Sequence, residues 1–71
     1  MTKLRLGNRL KVARAEKNIS QDVLANLAGV SRQTISSIET CQYTPSALLA
    51  FLIAKKLGKP VEELFFLEGE Q

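Results

Sequence analysis

The stretch Ser20-Gln21-Asp22-Val23-Leu24-Ala25-Asn26-Leu27-Ala28-Gly29-Val30-Ser31-Arg32-Gln33-Thr34-Ile35-Ser36-Ser37-Ile38-Glu39 carries two helix starts and one helix stop. Ser20 and Ser31 each precede a helical pattern, where a hydroxyl can accept a bond from an orphan first-turn N–H. Asp22 sits near the positive end of the first helix dipole. Gly29 supplies the left-handed backbone that ends that helix and redirects the chain. Leu24, Ala25 and Ala28 share one helical face, and Ile35 and Ile38 share another. Ala25 is small enough for close approach, and Leu24, Val30, Ile35 and Ile38 anchor the crossing.

The second helix also has a polar outer face. At about 100° per residue, Gln33, Ser36, Ser37 and Thr40 lie across from Ile35 and Ile38, with Arg32 flanking them. No acidic side chain falls on this face. Glutamine and arginine make bidentate bonds to adenine and guanine edges, and serine or threonine can reach bases or phosphates. An ordinary solvated helix face more often carries lysine and glutamate. Two short helices joined by a tight glycine turn form a helix-turn-helix, whose second helix enters the major groove.

Outward from this stretch, helical patterns continue on both sides. Leu6, Leu10 and Ala13 fall in one stripe and predict a first helix that Asn18-Ile19 interrupts. Thr40 to Thr44 reads as a loop, and Pro45-Ser46 opens a fourth helix. Ala47 to Ala54 is apolar throughout, so this helix is expected to be buried on more than one side. Gly58 closes it, and Pro60 starts a short fifth segment with Glu62 and Glu63 in its first turn. Residues 61–71 read as a C-terminal helix and tail. No period-2 alternation lasts long, so the expected fold is all-α, five helices in a single domain over 1–71 with the motif at 20–39.

Size and composition limit the alternatives. A chain of 71 residues with 45% hydrophobic side chains draws only about 3–5 kcal/mol from its core. The lone cysteine, Cys41, rules out an internal disulfide, and with no histidine a zinc site cannot be assembled. No cofactor, metal or small-molecule ligand is expected. The absence of a nucleophile–base pair and of a phosphate-cradling loop argues against an enzyme. No membrane span or signal segment is evident, so a cytoplasmic location is expected. The net charge is +3, and it is concentrated in residues 1–40, with seven cations against three acids. That asymmetry suits a domain facing a polyanion.

The run Ser20-Gln21…Leu24-Ala25…Gly29-Val30-Ser31-Arg32-Gln33-Thr34-Ile35-Ser36…Ile38-Glu39, followed by Tyr43-Thr44-Pro45-Ser46 and Leu57-Gly58…Val61-Glu62-Glu63-Leu64-Phe65, resembles the Cro/cI-type (lambda-repressor-like) helix-turn-helix regulators. The resemblance implies a five-helix fold binding double-stranded DNA. It implies that Arg32, Gln33 and Ser37 face bases, that Gln21 contacts a phosphate, and that Thr40 to Thr44, with Tyr43 among them, lie along the DNA backbone. Ser36 on the same polar face is expected at the bases too, and Ser31 and Arg14 at the backbone. Gln21 is also expected to brace the recognition helix, and Arg14 with Glu39 to form a structural ion pair. The loop departs from the family, whose usual Asn-Gly-Lys is replaced by Thr40-Cys41-Gln42.

A second departure is apolar. Leu48 and Leu52 stand on helix four where relatives usually carry charge, and Val23 and Leu27 make a similar pair on helix two. With Phe51, Phe65, Phe66 and Leu67 this exceeds what so short a chain easily hides. The C-terminal segment could fold back over it. The preferred expectation is a symmetric homodimer through Leu48, Phe51, Leu52, Phe65, Phe66 and Leu67. Two functions follow: a dimeric repressor or activator on a palindromic operator, or an antitoxin or accessory module that uses the same surface to bind another protein.

Overall fold

The computed structural model describes residues 3–70, with only the backbone described for Glu70. A strand, β1 (Lys3–Asn8), leads into helices α1 (Leu10–Lys17), α2 (Gln21–Ala28), α3 (Arg32–Glu39), α4 (Ala47–Leu57) and α5 (Val61–Leu64). A second strand, β2 (Phe65–Glu70), closes the order. The two strands pair antiparallel, with Lys3 opposite Glu70 and Asn8 opposite Phe65.

The all-α expectation is therefore corrected at the two ends of the chain. Leu6 lies in β1 and not in the first helix, which starts only at Leu10. The segment after Leu64 is a strand and not a continuing helix or tail. Side chains alternate across a strand, so the register puts Leu4, Leu6 and Asn8 on one face with Phe65 and Leu67. Lys3, Arg5 and Gly7 share the other face with Phe66 and Glu68. Gly7 is needed there: a Cβ would sit 2.6 Å from Phe66 Cε1, so the ring can lie across the glycine. The Arg9 guanidinium covers the ring from outside, 5.0 Å from its centroid.

The helices form as their caps dictate. Ser20, Ser31 and Ser46 each accept a bond from the N–H three residues on, at 3.1 Å. Leu10, Leu24, Ile35, Ile38, Ile53, Leu57 and Leu64 are fully buried between them. On α4 the core takes Ala50, Ile53, Ala54 and Leu57, and the opposite side stays open. Leu48 is 80% exposed and Phe51 60%, so the all-apolar helix is buried on one side only. Phe65, expected at an interface between copies, belongs instead to the core. It is the first residue of β2 and its ring turns inward beside Leu64. Leu52 and Phe66 are half-buried, and Leu67 is 69% exposed at the outer end of the ribbon. Among the described residues, no helix is long and apolar enough to cross a membrane.

Candidate nucleic-acid interface

The turn between α2 and α3 is built by Gly29, at φ 72° and ψ 29°. In this left-handed conformation the N–H groups of Gly29 and Val30 return to the carbonyls of Asn26 and Ala25, at 3.3 and 3.0 Å. The helix end is closed without a side chain. Val30 then packs against the core, and Ser31 caps α3 at once. The chain thus changes direction within a few residues, and α3 is presented across α2.

On α3 the buried side is Ile35 and Ile38, and Arg32 and Gln33 are exposed on the outside. Arg32, Gln33 and Ser36 line a hollow of about 350 Å³. Gln33 Nε2 donates to Ser37 Oγ at 3.1 Å. A glutamine amide has two hydrogens, so one N–H and Oε1 remain for the paired contact that an adenine edge offers. Ser36 and Ser37 are half-buried beside it. Glu39, the one acid of α3, points away from this face toward Arg14.

That pairing settles the place of Arg14. Its Nε donates to Glu39 Oε2 at 2.6 Å, its Nη2 to Glu39 Oε1 at 3.1 Å, and its Nη1 to the Ile19 carbonyl at 3.1 Å. The Arg14 side chain is 14% exposed and that of Glu39 8%. The hydrogen bond to Glu39 holds the guanidinium pKa above its ordinary value, against the opposing effect of burial. Arg14 is thus engaged within the fold, its guanidinium turned toward Glu39 and the Ile19 carbonyl. Gln21 braces the same carboxylate, with Nε2 3.0 Å from Glu39 Oε1, and keeps a second amide hydrogen at the start of α2.

The loop after α3 wraps back on the helix. Gln42 and Tyr43 both donate their N–H to the Ser37 carbonyl, at 2.8 and 3.1 Å. Thr40 Oγ1 donates to the Ser36 and Ser37 carbonyls, at 3.1 and 3.3 Å. In this rotamer its single hydrogen is taken, so its hydroxyl has none left for a phosphate. Cys41 adopts φ 63°, so the left-handed turn survives where the family usually has glycine. Tyr43 and Thr44 are exposed.

One residue of this region escaped the sequence reading. Asn8, half-buried at the end of β1, bonds to the last turn of α3 and to the start of α1. A polar residue two positions before a helix is a capping signal. It is visible only once the helix is known to begin at Leu10.

Charge is distributed accordingly. Arg5 pairs with Glu68 at 2.7 Å, and Lys59 with Glu16 at 3.0 Å. These cations are balanced, whereas Arg32 stands exposed on the acid-free side of α3.

Comparison with known proteins agrees with this geometry. The helix-turn-helix family profile matches residues 10–64. An uncharacterised HTH-type transcriptional regulator of Methanocaldococcus jannaschii is 48% identical over 64 residues, 90% of this chain and 97% of that protein. The uncharacterised HTH-type regulator YgzD of Bacillus subtilis is 43% identical over 63 residues, 89% of this chain and 96% of its own. Among solved structures, a candidate DNA-binding protein of Bacteroides fragilis superposes with a TM-score of 0.78 at 31% identity, covering 86% of this chain and 98% of that one. The restriction-modification controller protein C.AhdI of Aeromonas hydrophila gives 0.73 at 30% identity, over 76% and 82%. With the capped α2, the glycine turn and the polar face of α3, these matches establish that the chain belongs to the Cro/cI-type helix-turn-helix family and is a DNA-binding transcriptional regulator.

Proposed function

We propose that the protein reads a palindromic operator as a homodimer, with α3 of each copy in the major groove. The observation that carries this reading is the outer face of α3, where Gln33 and Ser37 are joined side by side, Arg32 flanks them and no acid intrudes. Arg32, Gln33, Ser36 and Ser37 face the bases. Gln21, Ser31, Tyr43 and Thr44 flank them toward the phosphates, and Thr40 joins only if its hydroxyl leaves the helix carbonyls. The exposed side chains of Leu48 and Phe51 support self-association, because apolar groups this open gain by leaving water. A twofold dimer sets its recognition helices about 34–36 Å apart, one turn of DNA.

Selection of binding sites from random DNA with the purified protein tests this. A twofold-symmetric motif with half-sites one turn apart is expected. Gln33→Ala should relax one base pair in each half, at about 1–3 kcal/mol of lost discrimination. An asymmetric motif excludes the homodimeric arrangement. A motif that neither Gln33→Ala nor Arg32→Ala alters excludes the assigned bases.

A further inference from the structure

Asn8 joins three elements through one short side chain. It belongs to β1, where its Cα partner is Phe65. Its Oδ1 accepts the N–H of Leu10 at 3.2 Å, serving an orphan donor of α1. Its Nδ2 donates to the Ile38 carbonyl at 2.8 Å and lies 3.9 Å from Cys41 Sγ. The Ile38 carbonyl also accepts the N–H of Cys41 at 3.0 Å. Asn8 therefore grips the point at which α3 ends and the chain enters the left-handed turn at Cys41, a conformation that a side chain with a Cβ resists. Nothing in Thr40-Cys41-Gln42 replaces the conformational freedom of glycine, so this turn needs support from outside.

We infer that Asn8 is a positioning residue for the DNA interface. It locks the last turn of α3 and the loop 41–44 in one geometry, and it makes that geometry depend on the ribbon formed by the two ends of the chain. The start of α3 is fixed by the Gly29 turn and Ser31, its last turn by Glu39, and its exit by Asn8. The functional half of the inference rests on the proposed reading of Tyr43 and Thr44 as phosphate contacts.

Asn8→Asp separates the two bonds. The carboxylate keeps an acceptor for Leu10 N–H, favoured by the helix dipole, but loses the donor and sets an oxygen against the Ile38 carbonyl. If Asn8 only capped α1, this change would be harmless. The expected result in DNA-free protein is about tenfold faster amide exchange at Cys41, Gln42 and Tyr43, with the α2 amides unchanged. Operator affinity should fall about tenfold, with the base preference at Gln33 retained. Should the Asp variant fail to fold, Asn8→Ser withdraws the amide N–H that meets the Ile38 carbonyl, leaving only a hydroxyl on a shorter side chain and no added charge, and the same exchange rates are read. Unchanged exchange at residues 41–43 overturns the inference, and so does faster exchange with unchanged affinity. Loss of the base preference assigned to Gln33 in the parent protein would instead mark failure of the proposed function, so the two failures are distinguishable.

Discussion

Arg14 on α1 and Glu39 in the last turn of α3 hold each other through two parallel bonds of 2.6 and 3.1 Å. Gln21 from α2 shares the same carboxylate, so three helices meet at one largely enclosed charge pair. Such a pair is costly to break from one side, because the surviving charge is left without its partner in a poorly solvated place. Arg14→Met is expected to cost about 3 kcal/mol. The double change Arg14→Met/Glu39→Leu should lose less than the sum of the single changes. Urea unfolding of the four proteins measures this, and simple additivity would show that the two side chains act independently. Arginine stays protonated across the working range, and its pKa is raised further here. Its side of the pair is therefore present throughout neutral pH and is lost only in strong base.

At Gly29 the penalty for a side chain comes from the backbone alone. A Cβ built there meets no atom within 4 Å, yet φ is +72°. Gly29→Ala should therefore cost about 1–2 kcal/mol, lowering the melting temperature by about 4–8 °C per kcal/mol in a domain of this size. Gly29→Val should cost more, because a β-branched residue resists positive φ, and Gly29→Asn less. A Val variant that melts with the parent would contradict a left-handed turn in solution.

Salt dependence should separate free cations from committed ones. Each phosphate neutralised contributes about −0.9 to the log–log slope of affinity against salt. Arg32→Ala should flatten the slope by about one such unit if Arg32 meets a phosphate, or relax one base pair if it meets guanine. Arg5→Ala should leave the slope unchanged, since Arg5 is engaged with Glu68. A flattened slope for Arg5→Ala would place the ribbon against DNA.

Self-association can be tested without disturbing the core. Leu48 and Phe51 are 80% and 60% exposed, so Leu48→Glu or Phe51→Glu should scarcely alter the stability of an isolated copy. Leu52 is half-buried and is a poorer probe. In the homodimeric reading both variants sediment as monomers and bind the palindrome much more weakly. The melting temperature of the parent should also rise with concentration, by mass action. A parent that is monomeric at tens of micromolar excludes this surface as a dimer contact.

The helices, their order and the polar outer face of α3 were open to inspection in the sequence, because the signals are local. A serine cap, a glycine stop and isoleucines three positions apart act within one or two turns of their own chain. Ser20, Gly29, Ser31, Ile35, Ile38 and the outer position of Gln33 could be placed from neighbours alone, and the Arg14–Glu39 pair came only through the family resemblance. The ribbon could not be placed in that way. Lys3-Leu4-Arg5-Leu6 alternates for four residues, too short to distinguish a strand from the start of a helix containing Leu6, Leu10 and Ala13. Its hydrogen bonds go to Phe65–Glu70 at the other end of the chain, and a strand has no partner until the fold brings one. The same closure turns Phe65 into the core while Leu67 stays exposed, and it carries Asn8 to the end of α3. Local periodicity reports the bonds a segment makes with itself, whereas strand pairing and the burial of one phenylalanine among several arise from contacts between segments some sixty residues apart.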